Sequence, residues 1–122
     1  MIPRYTRPEM GKIWEEKEKL QRMLDVEIAV CEELAARGEI PAEALDAIKS
    51  KSAFDPERIR EIERVTKHDV IAFLTNVAEN VGPASRYIHL GLTSSDVLDT
   101  GMALQLVSAG GLIIEGISNL LD

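Results

Sequence analysis

The sequence predicts an all-α fold, and three observations predict it. Apolar residues recur at spacings of three and four through most of the chain, the period of a helix with one buried face. Alternating runs long enough for a sheet are absent: Tyr87-Ile88-His89-Leu90 is the one strand-like segment, and a lone strand has nothing to pair with. Helix start and stop signals punctuate the apolar stripes at Gly38, Asp55-Pro56-Glu57 and Gly82-Pro83. At 122 residues, 45% hydrophobic and 29% charged, the chain has the size and composition of one globular unit with a core of its own.

Residues 1 to 8 hold two prolines, two arginines and a tyrosine, which reads as an extended arm that leads into a helix with Pro8 near its first turn. Met10, Ile13, Trp14, Leu20, Leu24, Ile28, Cys31 and Leu34 then mark one face of an amphipathic helix, with a gap near Lys17 that predicts an interruption there. Gly38 ends it. Pro41 opens a short helix through Ile48, because a proline at the first helical position gives up no hydrogen bond. Asp55-Pro56-Glu57 is a stronger start: a capping carboxylate, a preset φ and an acid against the helix dipole. Ile59, Ile62 and Val65 follow on one face. Lys67-His68-Asp69 marks a junction, after which Val70, Phe73, Leu74, Val77 and Val81 form the next stripe.

The final segment differs in kind. Of the 35 charged residues, 32 lie at or before Asp96; only Asp99, Glu115 and Asp122 follow, and no Lys or Arg occurs after Arg86. From Val97 onward apolar residues fall on every side of a helix, the pattern of a helix buried in a bundle or in a membrane. The uncharged stretch between the two acids rises only ~20 Å, short of a ~30 Å hydrocarbon core. A bundle is therefore expected. The preceding helices, one-sided and charged, can cover one flank, so other subunits or further helices must cover the rest. The predicted organisation is a small helical domain over 1–92 joined to the start of a bundle domain over 93–122.

The net charge of −7, with no basic run, argues against nucleic acid or an anionic membrane as partner. One cysteine, Cys31, permits no internal disulfide and reads as a small core residue. No apolar leader follows Met1, so a cytoplasmic protein is expected. Metal binding is not expected, because two separated histidines are too few ligands and no cysteine cluster accompanies them.

Three clusters remain as candidates for chemistry. Arg4 and Tyr5 pair a planar donor fork suited to phosphate with a phenol. His68 and Asp69 open a helix, where free backbone amides attract anions, although spacing alone favours plain capping by Asp69 beside a solvated His68. His89-Leu90-Gly91-Leu92-Thr93-Ser94-Ser95-Asp96 is the densest polar run. A capping box accounts for one hydroxyl and one acid, leaving further hydroxyls, a glycine and an imidazole at a helix start.

Arg4-Tyr5, Lys67-His68-Asp69-Val70 and His89-x-Gly91-x-Thr93-Ser94-Ser95-Asp96 ahead of a long apolar helix closely resemble the bacterial-type adenylosuccinate lyase family, of the fumarase and aspartase superfamily. The resemblance runs from the first residue to about Leu112 and loosens beyond Gly116. It implies a cofactor-free β-elimination that releases fumarate from adenylosuccinate, giving AMP, and from the succinylcarboxamide intermediate of purine biosynthesis (SAICAR). By the same resemblance Arg4 and Tyr5 contact the phosphate end, Lys67, His68 and Asp69 form a substrate-binding turn, Thr93 and Ser94 contact the succinyl part, and His68 and His89 take supporting roles in catalysis. The family's principal acid/base histidine and its mobile serine loop have no counterpart in these 122 residues. The family assembles as a homotetramer, so the resemblance implies the N-terminal part of such an enzyme, inactive by itself. Two alternatives stay open: another lyase of the superfamily, and a helical interaction module in which the polar run only caps.

Overall fold

A computed structural model describes residues 2–121. Six helices and two 3-10 turns follow in chain order, with no strand among the described residues. The arm is less extended than expected: Pro3–Tyr5 forms a 3-10 turn closed by the Tyr5 amide on the Ile2 carbonyl at 3.0 Å. Helix α1 (Pro8–Ile13) starts on Pro8, as the sequence predicts.

The interruption falls earlier than the gap at Lys17 suggested. Trp14 leaves the helix and Glu15 is extended, so α2 runs Glu16–Ala36 with Glu16 and Glu18 against its positive end. Trp14 consequently leaves the stripe and is 37% exposed. Helix α2 buries Leu20, Met23, Leu24, Val26, Glu27 and Cys31. Its end is a Schellman motif: Gly38, at φ 79°, and Glu39 donate to the Ala35 and Leu34 carbonyls, each at 2.9 Å.

Helix α3 (Ala42–Lys51) begins one residue later than expected, with Pro41 capping it through its carbonyl rather than occupying its first position. Helix α4 (Pro56–Thr66) has the predicted start, the Asp55 carboxylate accepting from the Glu57 amide at 3.0 Å. Ile59 and Ile62 are buried, but Val65, one turn later in the predicted stripe, is 83% exposed. Helix α5 (Asp69–Val81) buries Val70, Ala72, Phe73, Val77 and Val81. Its buried Asn76 accepts from the Asp55 amide at 2.8 Å, tying the entry of α4 to α5. The core is assembled from α2, α3, α4 and α5, with Phe73 fully enclosed and its ring 6.3 Å from that of Phe54.

Helix α6 (Ser94–Leu121) lies along α2 and buries one stripe, Val97, Gly101, Gln105 and Ala109. The helices come near each other at Gly101, where a Cβ would sit 3.6 Å from the Met23 amide nitrogen, in ordinary van der Waals contact. Gln105 donates to the last carbonyl of α1, Ile13, at 2.6 Å. The other faces of α6 expose Leu106, Val107, Ile113, Ile114, Ile117 and Leu120, so one flank is covered, as the charge distribution of the earlier helices implied. Among the described residues α6 is the one helix long and apolar enough to cross a membrane, although it carries Asp99, Glu115 and a stripe packed on α2.

Candidate active site

The polar run His89–Asp96 spans the turn that follows the second 3-10 segment (Gly82–Tyr87) and the first residues of α6. Its backbone reverses through two left-handed residues, His89 at φ 67° and Gly91 at φ 76°. Glycine adopts that conformation freely, whereas a histidine needs something to hold it. What holds it is Glu27, reaching across from α2. One carboxylate oxygen, Oε2, accepts from the His89 amide at 2.9 Å, and Oε1 lies 2.6 Å from Nδ1 of the ring. Glu27 is 1% exposed and the His89 side chain 22%. A carboxylate oxygen that accepts from the ring puts a hydrogen on Nδ1, and in a neutral imidazole Nε2 then keeps its lone pair.

Glu27 is the functional candidate that motif reading missed. Its signal lay in the register: it falls four residues before Cys31 and three after Leu24, an acid on the buried stripe of α2. A buried carboxylate must find a partner.

Thr93 and Asp96 form the expected box at the start of α6. The Asp96 carboxylate accepts from the Thr93 amide at 2.7 Å and from its hydroxyl at 3.0 Å. Those two bonds, the amide first, hold the Asp96 carboxyl below the usual aspartate range. The Ser94 and Ser95 hydroxyls take no part in these capping contacts.

At the second cluster the cap is His68, not Asp69. Its Nδ1 accepts from the Ile71 amide at 3.3 Å, and Asp69 turns instead to the neighbouring Val70 amide at 2.8 Å. Lys67, at φ 55°, ends α4 and allows the sharp junction. Lys67, His68 and Asp69 are all exposed. At the third cluster the Arg4 guanidinium stacks on the Tyr5 ring, 4.7 Å from its centre, and both side chains are exposed.

Among the described residues Tyr5, Lys67 and Asp96 line separate grooves. Tyr5 lines an open groove of about 370 Å³ against Leu112, Gly116 and Leu120 of α6. Lys67 lines another with Arg60 and Arg64. A third groove, between α2 and α6, reaches Asp96 and Leu92 but no histidine. Cys31 is not a candidate nucleophile: burial, and then the Glu27 carboxylate, push its thiol up to about 11, and its Sγ lies 3.7 Å from the Tyr87 carbonyl. Among the described residues no group of three or more His, Cys, Asp or Glu is placed to hold a metal ion.

Comparison with known proteins decides the family. The lyase family matches residues 4–122, nearly the whole chain. The chain belongs to the lyase family. Among curated relatives, the adenylosuccinate lyase of Synechocystis sp. is 64% identical over all 122 residues, that of Aquifex aeolicus 50% over 125, and that of Bacillus subtilis 41% over 122. Each alignment takes in all of this chain, which spans 28%, 29% and 28% of the respective relatives. Two solved structures share the fold. The 3-carboxy-cis,cis-muconate lactonizing enzyme of Pseudomonas putida has a TM-score of 0.81 and 33% identity, covering 89% of this chain and 26% of its own. A fumarate lyase from Mesorhizobium sp. has a TM-score of 0.78 and 25% identity, covering 85% and 25%. The all-α expectation and the resemblance to bacterial adenylosuccinate lyases both stand.

Proposed function

We propose that this lyase chain is the N-terminal part of an adenylosuccinate lyase. The observation that carries the reading is 64% identity with such an enzyme over every residue of the chain. The proposed reaction is a β-elimination on adenylosuccinate and on SAICAR. A base takes the Cβ proton, the C–N bond breaks with its electron pair going to nitrogen, an acid protonates that nitrogen, and fumarate departs, leaving AMP in the first case. Neither step calls for a cofactor.

In this reading Arg4 and Tyr5 meet the phosphate, and Lys67, His68 and Asp69 form a second binding turn. Thr93 and Ser94 hold the succinyl carboxylates at the start of α6, where backbone amides and the helix dipole favour negative charge. His68 and His89 support proton transfer. A substrate with about four negative charges is compatible with a chain at −7, because screening over ~8 Å leaves the local sign to nearby cations and helix ends.

Residues 1–92 form a cap domain, and 93–122 begin the bundle through which the enzyme assembles as a cytoplasmic homotetramer, with neither nucleic acid nor membrane as partner. The separation of the three clusters on this chain agrees with a site completed by other subunits and by the remaining chain.

The test is fumarate release. The chain extended to the length of its relatives should convert adenylosuccinate to AMP and fumarate, while the 122-residue chain alone should not turn over. Arg4→Ala in the extended enzyme should raise KM for the phosphate-bearing substrate. Failure of the extended enzyme to release fumarate from adenylosuccinate overturns the reading.

A further inference from the structure

We propose that Glu27 is a positioning residue for His89: its buried carboxylate fixes the imidazole as the Nδ1–H tautomer and turns Nε2 outward as the acceptor offered to substrate. What Nε2 meets rests on the lyase reading above; the tautomer does not.

Three observations carry the proposal. Glu27 grips both ends of one residue, the His89 amide at 2.9 Å and the ring at 2.6 Å, so the ring is fixed relative to its own backbone. His89 is held in left-handed backbone, and the same carboxylate that accepts its amide sets that turn. Among the described residues the sole salt-bridge contact of Glu27 is with His89; no Lys or Arg neutralises it.

A purely structural anchor does not need this chemistry. An amide side chain would accept the His89 N–H without placing a charge at 1% exposure. What a carboxylate adds is an acceptor for a ring N–H, which selects one tautomer and makes the opposite nitrogen the more basic one.

The second histidine supplies the contrast. His68 uses Nδ1 to accept the Ile71 amide, so its neutral form carries the hydrogen on Nε2. One neutral histidine is thus held as an Nε2–H donor and the other as an Nε2 acceptor. In the proposed reaction the two supporting histidines would thus present opposite hydrogen-bonding polarity at Nε2.

The tautomer is read directly by long-range ¹⁵N–¹H NMR on ring-labelled histidine, in buffer alkaline enough to keep the rings neutral. The chain has two histidines, and His68→Asn assigns them. Wild-type His89 should show a protonated Nδ1 and a free Nε2. In Glu27→Gln the amide oxygen can keep the backbone N–H, but its NH2 donates to Nδ1, so the ring should switch to the Nε2–H form. In the extended enzyme the same variant should lose about 100-fold in kcat with KM changed less than about threefold. A wild-type His89 in the Nε2–H form overturns the proposal, and this readout holds even if Glu27→Gln does not fold. A folded Glu27→Gln with the wild-type tautomer and kcat overturns it as well. If the wild-type enzyme releases no fumarate, the lyase reading falls, while the tautomer still decides the role of Glu27.

Discussion

Gly101 is where α6 meets the backbone of α2, and substituting it gives a stability change whose sign can be worked from distances. A Cβ at this position would lie 3.6 Å from the Met23 nitrogen and 3.7 Å from both the carbonyl carbon and the Cβ of Arg22. These are ordinary van der Waals contacts, so nothing has to move. Alanine is favoured over glycine in a helix interior by about 0.8–1.0 kcal/mol. Three new contacts at ~0.1–0.2 kcal/mol each add a few tenths more. Gly101→Ala should therefore stabilise by about 1 kcal/mol. Gly101→Leu has the same Cβ but must send a branched carbon towards the α2 backbone, and overpacking of this kind costs about 1–3 kcal/mol. Urea denaturation followed by far-ultraviolet circular dichroism measures both, with the midpoint moving and the slope unchanged. A leucine variant equal to wild type would refute the close approach of the two helices, and an alanine variant less stable than wild type would refute the distances by showing that the helices sit closer still.

Other expectations follow from the core and from the charged groups. Phe73→Ala empties a fully buried site and should cost about 3–5 kcal/mol, a large part of a small domain's total, visible as an early urea midpoint. Cys31, buried and with its thiol pushed up to about 11, should resist a thiol reagent at neutral pH in the folded chain and react once denaturant is added. Stoichiometric labelling of the native chain would contradict its burial. The Asp96 carboxyl is held below its ordinary 3.8 in the folded chain, so its stabilisation is present above that pH and is lost as pH falls through the lowered value. Thermal melts of Asp96→Asn should accordingly show less acid sensitivity below pH 3.8 than wild type, with Glu79, lowered by its bonds to Arg58 and then Asn76, contributing to the sensitivity that remains.

What the sequence made legible follows one physical distinction. Helix existence depends on local periodicity and local caps, and these are written in order along the chain: Asp55-Pro56-Glu57 gives the start of α4, and Gly38 the end of α2. Boundaries that depend on tertiary packing shifted. The break before α2 falls at Trp14–Glu15, where the Ile13 carbonyl is taken by Gln105 from a distant helix, and no local spacing encodes that bond. The cap of α5 moved from Asp69 to His68 because the left-handed turn at Lys67 sets which side chain faces the free amides. Of the histidine site, the sequence showed the imidazole and the hydroxyls but not their support. Glu27 lies 62 positions from His89 in sequence, and only its place on an apolar stripe distinguishes it from the surface acids around it.

The apolar character of α6 and the polar character of its first turn belong to one device. At 28 residues the helix is about 42 Å long, and it is docked on α2 along one stripe near its start. Thr93, Asp96 and the turn that holds His89 sit at the docked end, fixed by Glu27 and the capping box. Ile113, Ile114, Ile117 and Leu120 sit at the far end, exposed. Covering those side chains removes apolar surface from water at about 25 cal/mol per Å², a drive for association that needs no site chemistry at all. On the proposed reading, the helix that begins at the proposed succinyl-binding turn would also be the helix by which subunits meet, and assembly would then fix where each turn stands relative to residues from other chains. Such an arrangement would account for the separation of Tyr5, Lys67 and His89 on a single chain without requiring any of them to move.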